Sequence, residues 1–214
     1  MKGLILKDLY MTFKYCKSYF FISLIFIGIS FASSKNLFFV FYPCLLCGMI
    51  PVNLLGYDER SKWQQYSETM PYTRSQIVSG KYLIGLAAQI SVLILTGIAQ
   101  IIQMNINGTF TFIEFCVFMM LLLIMSLLSS SITLPFMFKL GVEKGRMAYY
   151  ITIGVVCAGS IISSNLLIGR TPTEIKLNGI LPFICFIAIG IYILSWYLSI
   201  IFYKKRELWK TKDR

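Results

Sequence analysis

Histidine is absent from this chain, which removes the commonest general base and the commonest metal ligand. Charge is scarce as well, at 14% of 214 residues against 57% hydrophobic. Within the apolar runs only one acid occurs, Glu114, near the end of the fourth. Without a chain of intramembrane acids there is no proton relay, and without an acid pair there is no intramembrane hydrolysis. The pattern GxxxxGK[ST] is missing, and so is the strand-loop-helix setting that it needs. An enzyme is therefore not expected, and neither is a bound cofactor or metal. Five of the six cysteines fall in apolar runs and read as small packing residues. No repeat, low-complexity tract or soluble domain interrupts the chain.

What remains is apolar length. Mean hydropathy is +0.73, more than a soluble domain of this size can bury. Six runs stand out, at about Tyr19–Ser33, Leu37–Gly56, Tyr82–Met104, Phe112–Phe136, Ala148–Gly169 and Ile180–Tyr203. A helix needs about 20 residues to cross the hydrocarbon core. Five runs reach that length, and the first does so if residues 16–20 join it. The runs are apolar on every face, unlike the alternating strands of a barrel. The expected fold is an all-α integral membrane domain over 1–214 with six transmembrane helices.

The basic residues orient it. Seventeen of the 20 lysines and arginines fall in the N-terminal segment, the second and fourth loops and the tail, and three on the other side. The positive-inside bias places both termini in the cytoplasm of a multi-pass cell-membrane protein. The net charge of +11 is then a topology signal with lipid contact, not a nucleic-acid footprint. Trp196, Tyr197, Tyr203, Tyr149 and Tyr150 are expected at headgroup level. Residues 1–17 are basic and amphipathic, with Ile5, Leu6, Leu9, Tyr10 and Phe13 on one face and Lys7, Asp8 and Lys14 off it. This suits an interfacial helix better than a signal peptide.

Polar residues within the runs are few. Gln89, Gln100 and Gln103 on the third and Ser130 on the fourth are candidates for a translocation path or for interhelix hydrogen bonds. Pro51 and Pro135 are expected to kink the second and fourth spans.

One long polar interruption, residues 57–81, combines charges, aromatics and a proline. Asp58, Glu59, Trp63 and Tyr66 suit a short amphipathic helix, and Ser75 can start a helix leading into the third span. Trp63 beside charges has the composition of an interaction anchor. The string Asp58-Glu59, Trp63, Tyr66, Thr69-Met70-Pro71, Arg74, Ile77-Val78 and Lys81-Tyr82 resembles the first cytoplasmic loop of ABC-2 type permeases. It is most similar to the short six-span branch that includes the phenol-soluble-modulin exporter permeases of Gram-positive bacteria, whose N-terminus KGLILKDLY resembles too. The resemblance implies two permease subunits, identical or homologous, and two separate ABC ATPase subunits that bind the ATP. It implies export of amphipathic or antimicrobial peptides or other hydrophobic compounds across a bacterial plasma membrane. It also implies that 58–68 is a coupling helix docking on the ATPase, through Asp58, Glu59, Arg60, Lys62, Trp63, Tyr66, Pro71 and Arg74, with a second contact near 141–146. The alternative reading is a non-transporting membrane scaffold or assembly factor.

Overall fold

The computed structural model describes residues 2–32, 38–67, 69, 72–106, 108, 111–166 and 177–212. Among these every regular element is an α-helix: α1 Lys2–Tyr15, α2 Lys17–Ala32, α3 Phe38–Cys47, α4 Ile50–Arg60, α5 Trp63–Ser67, α6 Arg74–Ile106, α7 Phe112–Leu140, α8 Val142–Leu166 and α9 Leu177–Lys212. Among the described residues three helices are long and apolar enough to cross a membrane: α6, α7 and the stretch Leu181–Lys205 of α9. The pair α1 and α2, bent by 58° at Cys16, makes a fourth if it is one span.

Helix α7 is the hub. It packs most extensively on α9 and α8, and also meets α3, α4 and α6. Its inner stripe is unusually small and polar, with Ser126, Ser129, Ser130, Ser131 and Thr133 all buried. Small residues let helix axes approach closely where lipid gives no hydrophobic drive between helices. The outward face of α6 is the reverse: Ile90, Ile94, Ile98 and Ile102 recur at helical spacing and stay exposed. Such a surface is stable against acyl chains, not water.

The second apolar run does not form one helix. It breaks at Gly48 and Met49, between α3 and α4. Pro51 lies in the first turn of α4, where its missing N–H costs nothing. The Leu45 carbonyl, left over at the end of α3, accepts from the Gly48 N–H at 3.0 Å and from the Tyr149 hydroxyl of α8. At Pro135, by contrast, α7 runs on unbroken. Proline cannot donate to the carbonyl four residues back, that of Ser131. The Ser195 hydroxyl of α9 donates to it instead, at 2.7 Å. Ser195 is also 2.9 Å from the Tyr82 hydroxyl, which lies 2.7 Å from Ser199. One chain of hydroxyls thus joins α6, α7 and α9.

That reading carries a test. Ser195→Ala should lower stability by about 1 kcal/mol, the usual size of an interhelix hydrogen bond in a membrane protein. In a Pro135→Ala background position 135 regains its own N–H for Ser131, and the loss should shrink. A thermal-melt double-mutant cycle in detergent measures this coupling, and strict additivity would refute it.

The expected aromatic anchors divide. Tyr150 and Tyr197 are exposed, but Tyr149 and Tyr203 are core residues, and Trp196 stacks on Tyr82 with ring centres 5.6 Å apart. Cys44 and Cys47 do carry a C-x-x-C spacing, along α3. Both are free thiols buried in the core. Among the described residues no group of three potential ligands could hold a metal.

Candidate functional site

Four charges meet where α1, α4 and α6 converge. Lys81 of α6 lies 2.8 Å from Asp8 of α1 and 2.5 Å from Asp58 of α4. Lys7 of α1 lies 2.7 Å from Asp58 and 3.5 Å from Asp8. Asp8, Lys81 and Asp58 are 0%, 1% and 5% exposed. Two acids and two bases balance, which is what allows such groups to be buried at all. Gly80 makes the approach possible: a β-carbon there would come within 3.3 Å of Leu4 on α1.

The cluster follows from the way α1 sits. Leu6, Tyr10 and Phe13 point outward, each about two-thirds exposed. Leu4, Asp8 and Thr12, four residues apart, form the stripe that faces the bundle. The polar side expected to face water therefore faces protein at Asp8. Tyr15 stacks on Tyr57 of α4 with ring centres 4.7 Å apart, a second tie between the same helices.

The polar loop is built on this anchor. Helix α4 runs on past the apolar run as far as Arg60. The chain turns at Ser61 and Lys62, the latter in the left-handed region at φ 54°, and restarts as the five-residue α5. The segment expected to form one coupling helix over 58–68 is thus the end of one helix and a short second one. Its residues face two ways. Asp58 is locked inward by the two lysines. Trp63 is half-buried, with the Lys7 ammonium 3.7 Å from its ring centre, a cation–π geometry. Trp63 also borders a small apolar cleft with Leu55, Ile77, Met137, Phe138 and Tyr203. Glu59, Arg60, Lys62 and Tyr66 are exposed, Tyr66 by 67%. Arg74 is half-buried at the start of α6. Pro71 lies outside the described residues.

A family model described as ABC-2 family transporter protein matches residues 3–204, nearly the whole chain. The chain belongs to the ABC-2 transporter family. No curated protein and no solved structure matches it. This ABC-2 protein is thus a membrane-spanning permease subunit of an ABC transporter, a kind of subunit that works with an ABC ATPase.

The four pathway candidates of the permease fall in two groups. Gln89 and Ser130 are buried and bonded to each other, and the Gln89 amide also donates to the Ser126 carbonyl at 3.1 Å. They join α6 to α7 beside the Gly48 break, where a β-carbon would lie 3.5 Å from the Ser130 hydroxyl. Gln89 Oε1 and the Ser129 hydroxyl, both buried, have no partner. Gln103 donates to the Ser30 carbonyl at the end of α2, at 3.1 Å, and Gln100 is half-buried one turn earlier. The meeting of Lys7, Asp8 and Lys81 with Asp58 was not read from the sequence, which assigned Lys7 and Asp8 to the polar side of the N-terminal helix and Lys81 to the loop string. An acid in the middle of an amphipathic helix and a lysine at the edge of an apolar run were their signals.

Proposed function

We propose that the permease is the six-span membrane subunit of an exporter in a bacterial plasma membrane, with both termini in the cytoplasm. It acts as a homodimer or with a homologous permease. Two ABC ATPase subunits bind and hydrolyse the ATP. The cargo class is an amphipathic or antimicrobial peptide, or another hydrophobic compound. The ATPase docks on the outward face of α4 and α5, with Arg60 and Lys62 meeting acidic groups and Tyr66 seated as the apolar anchor. Asp58 and Trp63 have the other role, transmitting the push inward.

One observation supports this above all: the loop is free on one side and locked on the other. Its exposed face carries the two cations and the tyrosine. Its inner face is tied through Asp58 to α1 and α6 at once. In this reading a force applied to α5 reaches α1 through Trp63 and Lys7, and α6 through Asp58 and Lys81.

The test is to purify the permease with its partner ABC ATPase. Lys62→Glu combined with Tyr66→Ala should weaken ATPase binding about tenfold or more, a cost of about 1.4 kcal/mol. The permease itself should melt as before, because both side chains are exposed. ATPase binding unaffected by the pair would remove α5 from the docking surface. Normal binding in wild type, with ATP turnover that no peptide or hydrophobic compound stimulates, would favour a scaffold over an exporter.

A further inference from the structure

A cleft of about 370 Å³ opens between the end of α4 and the turn that joins α7 to α8. Arg60, Lys144 and Arg146 line it, with Glu59 and Glu143, so that bases exceed acids by one. None of the three bases has a carboxylate partner among the described residues. The contrast with Lys7 and Lys81 is plain, since the chain supplies both of those with aspartates.

Arg146 is the telling residue. Its guanidinium lies against the α4 backbone at Gly56, where a β-carbon would stand 3.1 Å from Nη2. Among the described residues its one hydrogen bond is long, from Nη2 to Asn53 Oδ1 at 3.5 Å. Its Nε is buried with no acceptor. A half-buried guanidinium with its Nε sealed from acceptors of its own chain gains from an acceptor that arrives from outside. Its planar fork matches the paired oxygens of a phosphate.

The flank of the cleft says what carries that phosphate. Met147, Tyr150 and Ile151 follow Arg146 on the outer face of α8, each more than 60% exposed, and Leu140 across the turn is 44% exposed. Apolar side chains in that number beside a basic cleft suit acyl chains running down the helix from an anionic head. We propose that this cleft is a binding site for an anionic phospholipid, with the phosphate held by Arg146 and Lys144 and the chains lying along Met147 and Ile151. This rests on the chain being a membrane protein; Arg60 borders the cleft and is also a proposed ATPase contact, whereas the phosphate is held by Arg146 and Lys144.

The experiment uses the full permease in neutral detergent. Phosphatidylglycerol, phosphatidylcholine or inorganic phosphate is added, and retained lipid is read by native mass spectrometry alongside the melting temperature. Wild type should prefer phosphatidylglycerol to phosphatidylcholine by about tenfold. Arg146→Gln should bring the ratio close to one. Should that variant fail to fold, Lys144→Gln, at an exposed position, should lower the ratio several-fold. Lys204→Gln with Lys205→Gln, at exposed positions that do not line the cleft, should leave it unchanged. Equal loss in that control pair would mean a diffuse surface charge and overturn the site. Stabilisation by inorganic phosphate equal to that by the lipid would also overturn it, in favour of a soluble anion. So would a preference that vanishes whenever the ATPase binds, which would make the cleft part of the protein contact. Failure here leaves Lys62 and Tyr66 untouched as ATPase contacts, because neither borders the cleft.

Discussion

Lys81→Met is expected to be among the most damaging single substitutions in this permease. Lys81 lies within 2.8 Å of Asp8 and 2.5 Å of Asp58, and it is almost wholly buried. Without it, Asp8 and Asp58 share only Lys7, at 3.5 and 2.7 Å. One buried carboxylate is then without adequate compensation, and such a break costs about 3–5 kcal/mol. For a chain of this length that is a fall of about 6–20 °C in melting temperature. Asp8→Leu with Lys81→Met tells a different story. It removes one acid and one base, leaves the Lys7–Asp58 pair at 2.7 Å, and fills the space with carbon. Most of the lost stability should return, because a buried pair replaced by packed apolar groups is often neutral or better. Melting followed by tryptophan fluorescence in detergent distinguishes the two. A double variant no better than Lys81→Met would show that the cluster is not a balanced unit.

The double variant has a second use. If the cluster holds α1 and α6 to the loop, a stable protein with the Asp8–Lys81 link removed should still bind the ATPase. In the proposed arrangement binding depends on the outer face of α5, whereas transmission depends on the inner ties. Normal ATPase affinity with reduced substrate-stimulated turnover is the expected pattern.

The long helices were legible because lipid demands uniform apolar length. The runs beginning at Tyr82, Phe112 and Ile180 lie within α6, α7 and α9. Helix α6 starts at Arg74, close to the position where Ser75 suggested a start. The break in the second run was legible only as a disturbance near Pro51. Hydropathy is blind to it, since Gly48 and Met49 are themselves apolar. What settles it is the Tyr149 hydroxyl from a helix 100 residues away, which takes the loose Leu45 carbonyl. Asp8 was hidden for a similar reason. On an interfacial helix the polar side normally meets water, and only the gap at Gly80 with Lys81 beside it turns that side inward. Trp63 looked like a free anchor by composition. Its neighbour Lys7 is 56 positions away, so no local pattern could pair them. Gln89 and Ser130 stood out as polar residues in grease, but their mutual bond depends on the register of α6 against α7.

A glycine with no room for a β-carbon is expected to produce the second large loss. Gly145 sits on the first turns of α8, and a β-carbon there would lie 2.2 Å from Met137 Cγ and 3.0 Å from Met137 Cα. The Met137 side chain can swing away, but its backbone belongs to the hub helix and cannot. Gly145→Ala must therefore push α8 from α7, at about 1–3 kcal/mol. Gly145→Leu should exceed that range and leave little folded protein. The turn has no room to absorb the shift. Gly141, which ends α7, holds φ 94° and ψ 172°, a region that only glycine enters freely. Combining Gly145→Ala with Met137→Ala removes the Cγ clash and keeps the Cα one, so rescue should be partial. The same displacement widens the Arg146 cleft, so Gly145→Ala should also lose preference for anionic lipid without any change of charge. If Gly145→Ala instead melts with wild type, α7 and α8 are not packed face to face at this turn, and the cleft between α4 and that turn loses its wall.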